Sequence, residues 1–285
     1  MPEILIDNQV LTDYSCPRYG YYRHIRNWTT KSEGAALSFG LAMHSTLHSL
    51  HDTHDLKTAG IVLAEAMEGK GDDLRNLEKG LEILEEYNRR FGTEKWKDLV
   101  EGGEVKGTIP IYEDKELCII YVTRIDRPGW LDGELWFKEW KTSSRPGGFI
   151  VKPNQQITGY CWAMRSMFDQ PILGALVELL GVFKSSRNGQ RSVGYSQNKS
   201  LVSIVERVPV VIAEWETQEF VEDVVSKTKE ILSFRATNYW PKKTAFCGMW
   251  SGCPYIPLCS SPISQWDLIV ESTYDERPWT PGGVD

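Results

Sequence analysis

The chain has 285 residues, 41% of them hydrophobic, with 39 Asp and Glu against 32 Lys and Arg and a formal net charge of −7 at pH 7. That length buries a sizeable core, the composition is that of a globular protein, and no apolar run approaches the roughly 20 residues of a membrane span. The acidic balance excludes a protein that coats polyanions through bulk charge, but leaves room for a local anion site. The N-terminal stretch lacks a basic start followed by an apolar run, so no secretion signal is expected and the cytosol, or the nucleus where the source has one, is the expected compartment. There, six cysteines are expected as ligands or buried thiols before disulfides.

In chain order, a helix is expected from about 14 to 28, carrying Cys16 near its start and a basic, aromatic stretch of Arg18, Arg23, His24, Arg26 and Lys31. That stretch suits either a phosphate backbone or a solvated helix face. Leu37, Leu41, Leu47 and Leu50 recur at helical spacing and predict a helix over 35–51. Two amphipathic helices follow, over 58–67 and 72–91. The pattern then changes to strands at 104–111, 117–126 and 133–141, with a hairpin signal at Asp132-Gly133. After a Gly/Pro loop come a helix over 154–168 and a nearly continuous apolar strand over 174–183, of the kind found inside a covered sheet. A strand at 203–210 and a long helix over 214–236 complete the order. The fold class is therefore α/β, a mixed central sheet flanked by helices. One domain over 1–274 is expected, with a helical insertion at about 52–100, a cysteine-bearing segment at about 240–260 and a flexible tail at 275–285.

The informative segment runs from Arg124-Ile125-Asp126 to Glu139-Trp140-Lys141. Residues two apart on a strand share a face, so Glu139 and Lys141 project together and Trp140 points away. A hairpin closed at Asp132-Gly133 brings Asp126 near them. Converging carboxylates repel unless a cation lies between them, and a hard divalent ion such as Mg2+ suits such oxygens, with the Trp140 carbonyl a natural further ligand. Lys141 would then position or deprotonate a water nucleophile, or stabilise transition-state charge. An acidic residue two before a lysine is also common as a solvated cross-strand pair.

Cys247, Cys253 and Cys259 fall in one short, turn-rich segment. Three clustered thiols want a fourth, for which Cys16 is the candidate; an iron–sulfur cluster and a four-cysteine zinc site are the two chemistries such a set serves. Cys118 and Cys161 lie among apolar residues and are expected in the core.

Several short motifs in order resemble the PD-(D/E)XK nuclease superfamily, in the branch of RecB-like nuclease domains and phage or CRISPR-associated exonucleases. They are Cys16-Pro17-Arg18-Tyr19, Gly40 to His44, Arg124-Ile125-Asp126, Glu139-Trp140-Lys141-Thr142-Ser143, and Gln156 to Tyr160. Thr123 departs from the pattern, standing where that branch often has glycine. The resemblance implies a restriction-endonuclease-like core and metal-dependent (Mg2+ or Mn2+) hydrolysis of DNA. It makes His44 a metal ligand beside Asp126, Glu139 and the Trp140 carbonyl, and Lys141 the catalytic lysine. Gln156 and Tyr160 would hold that lysine or touch DNA. It further implies an exonuclease acting on single strands or duplex ends, in the cytoplasm of a bacterium or a phage-infected host, beside a recombination or helicase partner. Finally, it implies a 4Fe–4S cluster on Cys16, Cys247, Cys253 and Cys259, with Zn2+ the alternative because Cys247 and Cys253 stand further apart than that branch usually has them. The competing class is a non-catalytic DNA-binding or assembly protein on the same fold.

Overall fold

The computed structural model describes residues 3–32, 34–184, 190–195, 198–248 and 252–280. Its elements begin with β1 (Glu3–Ile6), α1 (Asn8–Asp13), α2 (Pro17–Gly20), β2 (Trp28–Thr30), α3 (Ala35–Thr53), α4 (Leu56–Met67) and α5 (Leu77–Phe91). Then come β3 (Lys97–Asp98), β4 (Val105–Glu113), β5 (Cys118–Ile125), β6 (Arg127–Leu131), β7 (Glu134–Ser143), α6 (Gln155–Met167) and β8 (Ile172–Gly181). The last are β9 (Gln190–Tyr195), β10 (Asn198–Ser203), β11 (Val205–Val211), α7 (Glu214–Thr237), α8 (Ile256–Ser260), α9 (Trp266–Thr273) and β12 (Tyr274–Glu276). The chain divides into two compact units, one of Met1–Ser32, Lys106–Arg124 and Glu214–Asp285, the other of Glu33–Val105 and Ile125–Ala213.

The second unit is built on a five-stranded mixed sheet in the order β11-β8-β7-β6-β3. β7 is its centre, antiparallel to β6 with Arg127 opposite Lys138, and parallel to β8 with Glu139 opposite Val177. The β6–β7 hairpin turns through Asp132 (φ 52°) and Gly133 (φ 86°), both left-handed, as a tight two-residue turn requires. Parallel pairing needs a crossover, which α6 supplies. β8 lies between β7 and β11, so both its edges are paired; all its residues but Leu173 are buried, and they are apolar apart from Glu178. α3, α4 and α5 share one core with the sheet: Phe39, Met43, Leu47, Leu63, Ile83 and Tyr87 pack with Trp140 and Leu180. α5 starts at Leu77, later than its periodicity predicts. Asp72 turns the chain by accepting from the N–H groups of Leu74 and Arg75, and Asn76 caps the helix at Lys79.

The first unit carries a sheet in the order β1-β5-β4, in which β1, a strand not expected from sequence, runs parallel to β5. The single helix expected over 14–28 is instead α2, a widened helical turn over Tyr21–Ile25, and β2. Pro17, which lacks an N–H, opens α2. Gly20 lets the turn sit on Tyr14, since a Cβ there would come 2.4 Å from its ring. The basic stretch is engaged within this unit: Arg18 donates to the Trp240 carbonyl, Arg23 to that of Arg277 and Lys31 to that of Glu271, while His24 meets Asp13 and Arg26 lies over Trp28. β12 pairs with β2 and Trp279 packs edge-on against His24, so the chain beyond Asp275 is tied down at least to Trp279. Residues 281–285 lie outside the described residues. Among the described residues no helix is long and apolar enough to cross a membrane.

Candidate active site

Asp126 occupies the bend between β5 and β6, one residue before the Arg127–Lys138 register, and so faces the backbone of Trp140. The Trp140 N–H donates to Asp126 Oδ2 at 3.2 Å. α3 passes close to the end of β7, where a Cβ on Gly40 would lie 3.4 Å from Thr142 Oγ1. One helical turn on, His44 places Nδ1 3.3 Å from Asp126 Oδ1 and Nε2 2.9 Å from the Trp140 carbonyl. Both ring nitrogens thus face oxygen acceptors. Burial works against charge on this ring, but the Asp126 carboxylate outweighs it and His44 titrates above its ordinary range.

Glu139 and Lys141 project together, as strand alternation predicts. Lys141 Nζ lies 2.6 Å from Glu139 Oε1 and donates to Gln156 Oε1 at 2.8 Å. Gln156 Nε2 in turn donates to the Tyr160 hydroxyl at 2.9 Å. Asn154 caps α6 by accepting from the Ile157 N–H, and the helix then sets Gln156 and Tyr160 one turn apart on one face. Glu139 is nearly fully buried, and its Oε2 has no hydrogen-bond partner. Burial, with the Asp126 charge adding to it, pushes the Glu139 carboxyl up against the pull of Lys141. Burial also acts to raise Asp126, but His44 and Lys141 hold it below the ordinary carboxylate range.

The expected metal ligands converge, but not as a coordination group. Among the described residues no three His, Cys, Asp or Glu side chains stand close enough to hold an ion. The reason is electrostatic. Asp126 is paired with His44 and Glu139 with Lys141, and His44 Nε2 faces the Trp140 carbonyl, so each donor is engaged within the protein. The donor set nevertheless fits a hard divalent cation: two carboxylates, one of them with an orphaned buried oxygen, an imidazole and a carbonyl.

Cys16, Cys247, Cys253 and Cys259 line one cavity of about 810 Å³ in the first unit, together with Tyr19 and Tyr255. The Cys253 N–H donates to the Cys247 carbonyl at 2.9 Å. Burial pushes the Cys253 and Cys259 thiols up, and Cys16 adds to it in both. These thiols, too, stand further apart than a single ion allows. Cys118 and Cys161 are core residues, as expected.

Sequence reasoning missed what lies behind β7. Glu178, fully buried on β8, accepts from Trp140 Nε1 and the Tyr87 hydroxyl, each at 2.6 Å, and from Arg207 Nε at 2.8 Å. Lys138, also fully buried, donates to Glu94 at 2.8 Å, and Arg207 pairs with the same Glu94. His48 and His51 pack on Trp140. The one signal in sequence was a lone glutamate inside the apolar run of β8.

The core is a mixed α/β sheet with a helical crossover, with Glu139 and Lys141 on its central strand and Asp126 at the bend before β6. The sequence model of the PD-(D/E)XK nuclease superfamily matches residues 10–260. The chain belongs to that superfamily and is a nuclease. Among solved structures, it is similar to a "Putative exonuclease" from Eubacterium rectale, with 13% identity, 93% of this chain and 92% of that one covered, and a TM-score of 0.49. It is also similar to SSO0001, with 10% identity, coverage of 74% and 80%, and a TM-score of 0.32. No curated protein matches the chain.

Proposed function

We propose that the protein is a metal-dependent deoxyribonuclease, working as an exonuclease on DNA ends or single strands. The buried Glu139 Oε2 without a partner carries this reading, because a buried acceptor left unpaired costs about 1–3 kcal/mol, and more when charged. An Mg2+ or Mn2+ ion accounts for it, held by His44, Asp126, Glu139 and the Trp140 carbonyl. When bound, such an ion polarises a phosphodiester and lowers the pKa of water. Lys141 donates to Glu139 and Gln156, which leaves a third N–H for a phosphate oxygen as negative charge develops on it. The donor-only ammonium of Lys141 requires the Gln156 amide oxygen, and Tyr160 accepts from the amide nitrogen and so braces that orientation.

The four cysteines are proposed to hold a 4Fe–4S cluster. The roomy cavity supports a cluster over zinc, which four thiolates would enclose at about 2.3 Å. The expected setting is the bacterial or phage-infected cytoplasm, beside a recombinase or helicase. The test is digestion of end-labelled single-stranded and duplex DNA with Mg2+ or Mn2+, coupled to metal analysis. Stepwise shortening from an end, abolished by chelator and lowered about 100-fold or more by Lys141→Ala or Asp126→Ala, is expected. A metal-loaded wild type that cuts no end structure would make this a DNA-binding protein instead.

A further inference from the structure

Arg127 follows Asp126 directly and is 1% exposed, a buried cation with no part in the chemistry proposed above. Its guanidinium is held from two directions. On the sheet side, Nε donates to Asp98 Oδ1 at 2.8 Å and Nη2 to Asp98 Oδ2, so the fork meets one carboxylate with both prongs. Asp98 is itself fixed, because it stands opposite Gly129 where β3 pairs with β6, and Trp96 Nε1 donates to it at 2.8 Å. On the helix side, Nη2 donates to Asp52 Oδ1 at 2.7 Å and Nη1 faces the His48 carbonyl at 3.5 Å. Gly103, with φ 73°, closes over the group: a Cβ there would come 2.8 Å from the guanidinium carbon.

Such a residue is a poor stabiliser. Desolvating a guanidinium costs much of what its ion pairs return, and exchanging buried pairs for apolar groups of similar volume often leaves stability unchanged. Asp52 is placed against helix stability as well, in the last turn of α3, where the negative end of the helix disfavours an acid. What a planar fork on two carboxylates does supply is fixed geometry. At 1.5 Å and 100° per residue, His48 lies about 6 Å and Asp52 about 12 Å along α3 from His44, all within an arc of about 80°. Two neighbouring residues therefore meet one face of α3. Asp126 Oδ1 stands 3.3 Å from His44 Nδ1, and Arg127 takes Asp52 two turns on. One contact leaves a helix free to pivot about it, whereas two contacts about 12 Å apart fix its angle too.

We propose that Arg127 is a positioning residue for the metal site, holding α3 through Asp52 so that the His44 ring is delivered to the ion beside Asp126 and Glu139. The inference rests on the metal-dependent reading above and deepens it. The test loosens the grip from its exposed end. The Asp52 side chain is 46% exposed, so Asp52→Ala opens no core and leaves Arg127 paired with Asp98. Kd for Mn2+ is read from the electron paramagnetic resonance of the free ion, in wild type, Asp52→Ala, His44→Ala and the double variant. Asp52→Ala should weaken Mn2+ binding about tenfold, the lower range for a residue that orients a metal ligand. The His44→Ala background keeps both carboxylates and the Trp140 carbonyl for the ion. There Asp52→Ala should change Kd by less than about twofold, because the helix no longer carries a ligand to misplace. A merely structural role would lower the melting temperature and leave Kd alone. An unmoved Kd in Asp52→Ala, or an equal loss in both backgrounds, overturns the inference and leaves the nuclease reading intact. Wild type that binds no Mn2+ overturns the metal reading along with it.

Discussion

Replacing Glu178 by glutamine tests whether the ionic network behind β7 stabilises the sheet. Oε2 accepts from Tyr87 and Trp140, and Oε1 from two nitrogens of Arg207. An amide has one acceptor oxygen, so whichever way the glutamine turns, its NH2 meets donors: the guanidinium on one side, the indole and phenol on the other. The charge count also fails. Lys138 and Arg207 are balanced by Glu94 and Glu178, and the variant leaves two buried cations on one carboxylate. Breaking a buried pair by removing one partner costs about 3–5 kcal/mol, and two lost charge-assisted hydrogen bonds at about 1.5–3 kcal/mol each give the same range. Against a total stability of roughly 5–15 kcal/mol, that is about a fifth or more. Guanidinium denaturation followed by circular dichroism should show it, with a fall in melting temperature of about 10 °C. A loss under about 1 kcal/mol would mean that the network contributes little and the reasoning is wrong.

His51 should make the protein acid-sensitive. Burial, with Lys138 and Arg127 adding to it, holds its ring well below the ordinary 6.5, so only the unfolded chain takes up a proton just below that pH. Stability is therefore full above 6.5 and falls as pH drops, by at most about 1.4 kcal/mol per unit; His51→Phe should remove that slope from denaturation curves taken at successive pH values. Glu94 acts lower on the scale. Burial alone would raise it, but Arg207 and Lys138 hold it below 4.5, so its contribution is present above that value and lost beneath it, and Glu94→Gln should flatten that limb. Gly20→Ala drives a methyl into the Tyr14 ring and should cost about 1–3 kcal/mol; a gain on thermal melting would show that the turn has room. Mn2+ should raise the wild-type melting temperature, by about 2.7 kcal/mol of stability at a hundred times Kd, and leave Glu139→Gln unmoved; an equal rise in both would remove Glu139 from the metal set.

The hairpin half of the site was legible because its determinants are local. Asp132-Gly133 specifies a two-residue turn, the turn fixes the register, and alternation then points Glu139 and Lys141 to one face. His44 was different. Periodicity gave its helix, but only the resemblance gave it a role, since the contact with Asp126 joins α3 to a bend 82 residues later. Glu178 shows the limit more sharply. Its partners lie 91, 38 and 29 residues away, and inside β8 it reads as a blemish in an apolar run. β1 pairs with β5 across more than a hundred residues, and four residues of Glu-Ile-Leu-Ile carry too little pattern to announce it. The start of α2 was misread because a run of tyrosines and arginines is compatible with one long helix, whereas Pro17 and Gly20 are what divide it.

Trp140 joins the two charge systems. Its indole reaches Glu178 on the covered side of the sheet, while its N–H meets Asp126 and its carbonyl meets His44. On the covered side the carboxylates of Glu94 and Glu178 face Lys138 and Arg207; on the other, Asp126 faces His44 and Glu139 faces Lys141, a set that balances when His44 is protonated and Glu139 ionised. The covered side keeps its balance because all its charges are fixed. If the proposed divalent ion were held on the other side, two further positive charges would arrive beside Lys141 and His44, and the balance would be restored either by loss of a proton from His44 or by the negative charge of a bound phosphate. On that proposal metal and substrate binding would be linked, each lowering the cost of the other.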